Sequence, residues 1–406
     1  MLFSCSSVSG NGDKDKTTKE TIKNNENSVN GELEEIKSNA PKKLKLAIER
    51  TEVYIPLLQD KKVGVVSNQT GMIRETHLVD TLLASGINVI KVFAPEHGFR
   101  GKASAGEHVS STQDEKTGLP IMSLYGKTKK PSEEMMSGID IMIFDIQDVG
   151  VRFYTYISTL HYVMEACAEA NIPLIILDRP NPNGNYVDGP VLESDYTSFV
   201  GMHPVPIVYG MTIGEYGKMI NGEAWLPNNL KCDLTVIPLE NYTHQTEYEL
   251  PVPPSPNLRT NNSIYLYPSL CFFEGTSVSV GRGTDNPFEI YGHPKFPETD
   301  YSFIPRAQEG ASSPLWENET CNGFDLTEIL KKRSTKLNLS YFMNACTLLK
   351  DQSFVTNAKF LNLLVGNGEL MTQIENGMTE KQIRETWQPK LVEFKITRKK
   401  YLLYSN

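Results

Sequence analysis

The stretch at 139–178, IDIMIFDIQDVGVRFYTYISTLHYVMEACAEANIPLIILD, reads as strand, helix, strand. Ile139–Phe144 and Pro173–Leu177 are short apolar runs, and between them apolar residues recur at helical spacing from Tyr156 to Ala170. Strands without polar alternation are buried on both faces, and a helix between two of them makes a parallel pair. The pattern extends in both directions. Lys62–Ser67 and Asn88–Phe93 are further apolar runs, with a helical stretch at His77–Ala84 between them. Downstream, a helix near Thr212–Asn221 precedes a strand at Leu234–Pro238. Alternating strands and helices predict an α/β fold whose first domain is a Rossmann-like parallel sheet covered on both faces.

The pattern changes at Pro251-Val252-Pro253-Pro254-Ser255-Pro256, a stiff connector unable to continue a helix or occupy a central strand. Beyond it, mixed short strands are followed by helices near Leu326–Lys332, Ala358–Leu364, Glu369–Glu375 and Glu380–Trp387. The last is expected to stop before Pro389, with Leu391–Ile396 as a closing strand. These features predict three parts: a tail at 1–43, a Rossmann-like domain at 44–262, and a smaller α/β (α+β) domain at 263–406.

The tail is rich in Ser, Asn, Lys, Glu and Thr, which bury too little apolar surface to fold but suit a tether. At its start, Leu2-Phe3-Ser4-Cys5 resembles the end of a bacterial lipoprotein signal, without the basic and apolar regions that precede such a cysteine. A lipid anchor at Cys5 and an exported, periplasmic or outer-membrane-anchored protein are therefore expected. No apolar run is long enough for a transmembrane helix. A net charge of −9 offers no electrostatic attraction to nucleic acid. The six cysteines show no C-x-x-C spacing, which argues against zinc ribbons and thioredoxin-like chemistry.

Ligands of open parallel sheets gather beyond the C-terminal strand ends. Polar residues collect there in four successive loops. They are Asn68 after the first strand; Glu96, His97 and Arg100, with Glu107 and His108 beyond, after the second; Asp145, Asp148 and Arg152 after the third; and Asp178, Arg179 and Asn181 after the fourth. Each taken alone is an ordinary turn former or ion-pair partner; four loops together point to a binding site. Further on, Glu274 precedes Gly281-Arg282-Gly283-Thr284-Asp285, where closely spaced glycines mark a tight hairpin or a loop approaching a ligand. Should that loop fold over the sheet edge, Glu274, Arg282 and Asp285 complete an interdomain cleft.

Paired carboxyl groups suit glycoside hydrolysis. Glu96, between Pro95 and a glycine-rich turn, is the candidate acid, and Glu107, Asp145 and Asp148 compete for the second role. Arg152, Arg179 and Arg282 are candidates to pair with an anionic group on the substrate. Tyr154 and Tyr156 are candidates to support a sugar ring. There is no G-x-G-x-x-G after a strand and no G-x-S-x-G, and Gly126-Lys127-Thr128 lacks the first glycine of a P-loop, so no cofactor is expected. A metal held by His97 and His108 with Asp145 or Asp148 lacks a supporting spacing.

The strings FAPEHGFRG at 93–101, DVGVRFYTYISTL at 148–160, LDRPNPNG at 177–184 and EGTSVSVGRGTDNPF at 274–288 carry a resemblance. Together with SLYG, SFVGM, GMTIGE and PSPNL, they make the chain similar to the NamZ-type exo-β-N-acetylmuramidases from about residue 45 onward. The resemblance implies a Rossmann-like domain, an α/β C-terminal domain, and a cleft between them. It also implies release of N-acetylmuramic acid (MurNAc) from the non-reducing end of peptidoglycan fragments, with Glu96 as the catalytic glutamate. One departure is Tyr209-Gly210-Met211-Thr212, where many relatives carry HGMT. The alternatives are a muropeptide-binding lipoprotein that does not cleave its ligand, and a metal-dependent hydrolase.

Overall fold

A computed structural model describes residues 43–99, 112–126, 128–329, 332–349 and 354–406. The expected tail up to residue 42, with Cys5, and Arg100, Glu107 and His108 lie outside these residues. From Lys45 onward the chain forms one unit. Its centre is a seven-stranded sheet of β1 (Lys62–Ser67), β2 (Asn88–Ala94), β3 (Thr112–Gln113), β4 (Pro120–Ser123), β5 (Ile141–Asp145), β6 (Leu174–Leu177) and β7 (Leu234–Ile237). The spatial order is β7-β6-β5-β1-β2-β4-β3, parallel throughout except for the pairing of β3 with β4. The chain leaves β1 on one side toward β2 and returns on the other at β5, so a topological switch lies at the β1–β5 crevice.

Alternation along the strands explains why the runs are apolar throughout. Met142 and Phe144 of β5, with Leu174 and Ile176 of β6, face one core; Ile141, Ile143, Ile175 and Leu177 face the other. The first core includes Leu160, Val163 and Met164 of α2 (Tyr156–Ala170), and the second Leu78, Val79 and Leu82 of α1 (Leu78–Ala84). Helix α3 (Ile213–Gly222) precedes β7. An antiparallel pair, Asp188–Val191 with Pro206–Val208, lies outside the main sheet.

The C-terminal region opens with α4 (Asn261–Leu270) and contains a small antiparallel sheet. Its strands are β8 (Ile290–His293), β9 (Tyr301–Phe303) and β10 (Cys321–Asp325), in the order β8-β10-β9. Helices α5 (Ala358–Val365) and α6 (Glu380–Lys399) follow. Two expectations are corrected here. Leu326–Ile329 is a turn, because the Asp325 carboxylate takes the backbone N–H and hydroxyl of Thr327 and curls the chain locally. Leu391–Ile396 is helical: α6 runs through Pro389, burying Ile383, Trp387, Leu391, Phe394 and Arg398 along one stripe. Pro389 is exposed, so water can serve the carbonyl that its missing N–H leaves unpaired, and packing overrides the local penalty. Among the described residues no helix is long and apolar enough to cross a membrane, and Cys167, Cys232, Cys271, Cys321 and Cys346 are free thiols.

Arg152 is also corrected: it is a structural anchor with no exposed surface. Its Nη1 donates to the carbonyls of Pro190 and Val205, each at 2.8 Å, and its Nη2 to those of Leu364 (2.9 Å) and Val365 (2.7 Å). The last two are end carbonyls of α5, which a cation satisfies well. Burial pulls the guanidinium down to about 9, still charged at neutral pH. Gly366 follows with φ +89°, and a Cβ there would sit 2.5 Å from Arg152 Nη2. Replacing Arg152 by Met should cost about 3–5 kcal/mol, since it strands buried carbonyls with no substitute donor. Urea denaturation measures this, and a loss under about 1 kcal/mol would show that the carbonyls find other partners.

Candidate active site

Strand β2 ends at Ala94 and turns through Pro95-Glu96-His97-Gly98, closed by Gly98 N–H donating to the Pro95 carbonyl at 3.0 Å. His97 has φ +70° and is buried, a left-handed conformation that costs a side-chain-bearing residue about 1–2 kcal/mol. The strained corner turns Glu96 into a cleft of about 610 Å³, a volume fit for a ligand of drug size. Thr155, at the head of α2, donates its hydroxyl to Glu96 Oε2 at 3.1 Å. The Tyr125 hydroxyl, beyond the end of β4, also bonds Glu96; burial first and the neighbouring carboxylate second push its pKa up.

The cleft floor is aromatic. Tyr156, Tyr154, Tyr267 and Phe288 follow one another edge to face, at centroid separations of 4.9, 5.9 and 5.0 Å. Asn68 supports this floor from beneath: fully buried, it donates to the Tyr156 hydroxyl at 2.9 Å and accepts from Thr70. The Tyr156 hydroxyl in turn donates to the Pro254 carbonyl at 3.1 Å, so the proline-rich connector docks against the site. Further along, Ser255, Asn257 and Leu258 line the cleft.

At the far end of the floor, Arg282 donates from Nε (2.8 Å) and Nη2 (2.5 Å) to Glu274 Oε1, and its guanidinium lies 5.0 Å from the centre of the Phe288 ring. The flanking glycines are required: Gly281 and Gly283 have φ of +78° and +82°, and a Cβ on Gly281 would meet Ile290 Cγ1 at 2.4 Å. A hairpin tip closed by mutual backbone bonds of Ser198 and Gly201 presents Phe199 and Val200 to the cleft.

Of the residues expected from the sequence, Glu96, His97, Tyr154, Tyr156, Glu274 and Arg282 line this cleft. Asp285 is exposed elsewhere, and Asn68 acts from below. The other strand-end residues are internal struts. Asp145 and Arg179 form a buried bidentate pair at 2.7 and 2.8 Å. Asp178 accepts from Thr212, Gly214 and Tyr404. Asn181 holds Asn183 N–H and the Met211 carbonyl. Asp148 accepts from Gly150 N–H and the Tyr209 hydroxyl, and burial pushes it up to about 6. Tyr209, singled out above as a departure from the HGMT string, is thus a fully buried partner of Asp148 and does not line the cleft. Sequence reasoning missed Tyr125, Thr155, Phe199 and Tyr267. Tyr125, Thr155 and Phe199 sit at element boundaries or in connections, where apolar periodicity carries no information about direction, and Tyr267 lies within α4, where its ring reads as ordinary core.

Over most of its length the chain is similar to known proteins. A sequence model described as exo-β-N-acetylmuramidase NamZ, N-terminal, matches residues 63–262, and its C-terminal counterpart matches residues 265–404. The peptidoglycan β-N-acetylmuramidase NamZ of Bacillus subtilis (strain 168) is 40% identical over 379 residues, covering 86% of this chain and 89% of that protein. Two crystal structures of DUF1343 family proteins from Bacteroides fragilis NCTC 9343 share the fold. One superposes with TM-score 0.82 at 48% identity, covering 90% of this chain and 100% of the other. The second superposes with TM-score 0.76 at 28% identity, covering 89% and 99%.

Proposed function

The chain belongs to the exo-β-N-acetylmuramidase NamZ family and is a glycoside hydrolase acting on peptidoglycan; from that premise we propose that it releases terminal MurNAc from the non-reducing end of wall fragments, using Glu96 as acid and Arg282 as the reader of the lactyl carboxylate. The observation that carries this reading is that Glu96 and Arg282 line one cleft, whose aromatic rings follow one another from Tyr156 to the Phe288 ring that Arg282 covers. Glu96 protonates the glycosidic oxygen as its bond to C1 breaks, the aglycone leaves as an alcohol, the hydroxyl of water ends on C1, and the proton that water gives up restores the acid. MurNAc differs from N-acetylglucosamine by a lactyl ether bearing a carboxylate. Among the described residues, Arg282 is the cation lining the cleft, and Glu274 fixes two of its nitrogens so that the remaining edge is pre-oriented.

Glu96→Gln should lower turnover of a chromogenic MurNAc glycoside by roughly 10²–10⁴-fold with little change in melting temperature. Activity within a few-fold of the parent would remove Glu96 from this role, and inactivity of the parent itself would favour a muropeptide-binding protein.

Arg282→Ala should lower kcat/KM for MurNAc glycosides by about 10²-fold, or about 3 kcal/mol, while sparing any residual action on N-acetylglucosamine glycosides. An equal loss on both sugars would mean that the carboxylate is read elsewhere.

A role in wall turnover and an exported location, with a lipid on Cys5, accompany this reading. Radiolabelled palmitate should enter the full chain in a bacterial host and fail to enter a Cys5→Ser variant; equal labelling of the two would sink the anchor.

A further inference from the structure

Among the described residues four threonines stand at helix N-caps, and three behave alike. Thr212, Thr260 and Thr379, heading α3, α4 and α6, each accept the N–H of the third helical residue: Glu215, Ser263 and Gln382 respectively. This is the usual work of an N-cap hydroxyl, because the first turn of a helix has N–H groups without internal partners. Thr155, heading α2, makes no such bond. Its hydroxyl turns outward and donates to Glu96 Oε2 at 3.1 Å. The helix that carries this exception is the one whose first turn faces the cleft. Ser158, one turn along, likewise sends its hydroxyl outward, to the Phe199 carbonyl at 2.7 Å.

We propose that Thr155 is a positioning residue that acts through Glu96, fixing which carboxyl oxygen faces the glycosidic bond. The inference rests on the reading of Glu96 as the catalytic acid. A protonated carboxyl has one O–H and one carbonyl oxygen. With Thr155 donating to Oε2, the proton resides on Oε1, the oxygen left to face the substrate. When the proton moves to the leaving oxygen, the same hydroxyl bond steadies the negative charge left on the carboxylate. Tyr125 bonds the same carboxyl group from the β4 side, with Tyr156 and His97 as the other titratable neighbours on the lining. Thr155 differs from Tyr125 and His97 in coming from the head of a helix, whose position does not depend on the strained turn at His97, and from Tyr156, whose hydroxyl donates to the Pro254 carbonyl, in donating to the carboxyl itself.

The test compares Thr155→Val, which keeps the shape and removes the hydroxyl, with Thr155→Ser, which keeps the hydroxyl. On a MurNAc glycoside, Thr155→Val should lower kcat by about tenfold or more with KM within a few-fold. The basic limb of its kcat/KM profile, which reports loss of the acid's proton, should move to higher pH because a donor to the charged form is gone. Its melting temperature should hold, because no cap bond is lost. Thr155→Ser should recover most of the turnover. The proposal is overturned by Thr155→Val turning over at the parent's rate, by a fall in melting temperature with kcat unchanged, or by failure of Thr155→Ser to restore a lost rate. Glu96→Gln run alongside separates the two ideas. If it remains active, the acid assignment itself fails; if it is inactive while Thr155→Val matches the parent, only the positioning role fails.

Discussion

A buried guanidinium without a carboxylate holds this fold together. Arg152 lies three residues before the head of α2 and bonds carbonyls from the 188–191 strand, the approach to the 206–208 strand, and the end of α5. Each acceptor is main chain, so the interaction specifies positions of backbone rather than identities of side chains. A charge taken out of water without a counter-ion is costly, and only dense hydrogen bonding makes it tolerable. That density requires the segments from both matched regions to be in place at once. The start of α2, and with it the hydroxyl that meets Glu96, is therefore set by residues far along the chain.

The parallel sheet was legible because continuous apolar runs have one physical explanation, burial on both faces. All five strands expected in the first domain are present, and the helix at Tyr156–Ala170 has the expected bounds. Elements that depend on partners rather than on local pattern were not legible. The edge strand β3, its neighbour β4 and the 188–208 pair are short, and neighbouring chain supplies most of their stability. Pro389 shows the converse: a strong local signal for a helix end is overruled by a buried stripe two turns long on either side of it.

The site divides in the same way. Strand ends were the right place to look, yet most of the charged residues there serve the scaffold. Asp145 with Arg179, and Asp178 with Thr212 and Tyr404, tie adjacent loops together beneath the cleft. Nothing in a sequence tells an aspartate that braces a loop from one that meets a ligand, because both prefer turns and both need partners. What separates Glu96 is a turn that forces His97 into a left-handed conformation, and that becomes visible only in backbone angles. The consequence for chemistry is a carboxyl group presented among hydroxyls and aromatic rings.

Gly366 turns this architecture into a statement about inheritance. With φ +89° and Arg152 Nη2 2.5 Å from where a Cβ would stand, it has no room for any side chain while the arginine remains. Loss of the arginine, in turn, leaves the end of α5 without its donors. The two positions lie in different matched regions, more than two hundred residues apart. Neither can drift alone, so recombination that joined a first region from one lineage to a second from another would succeed only where both parents keep the same pair.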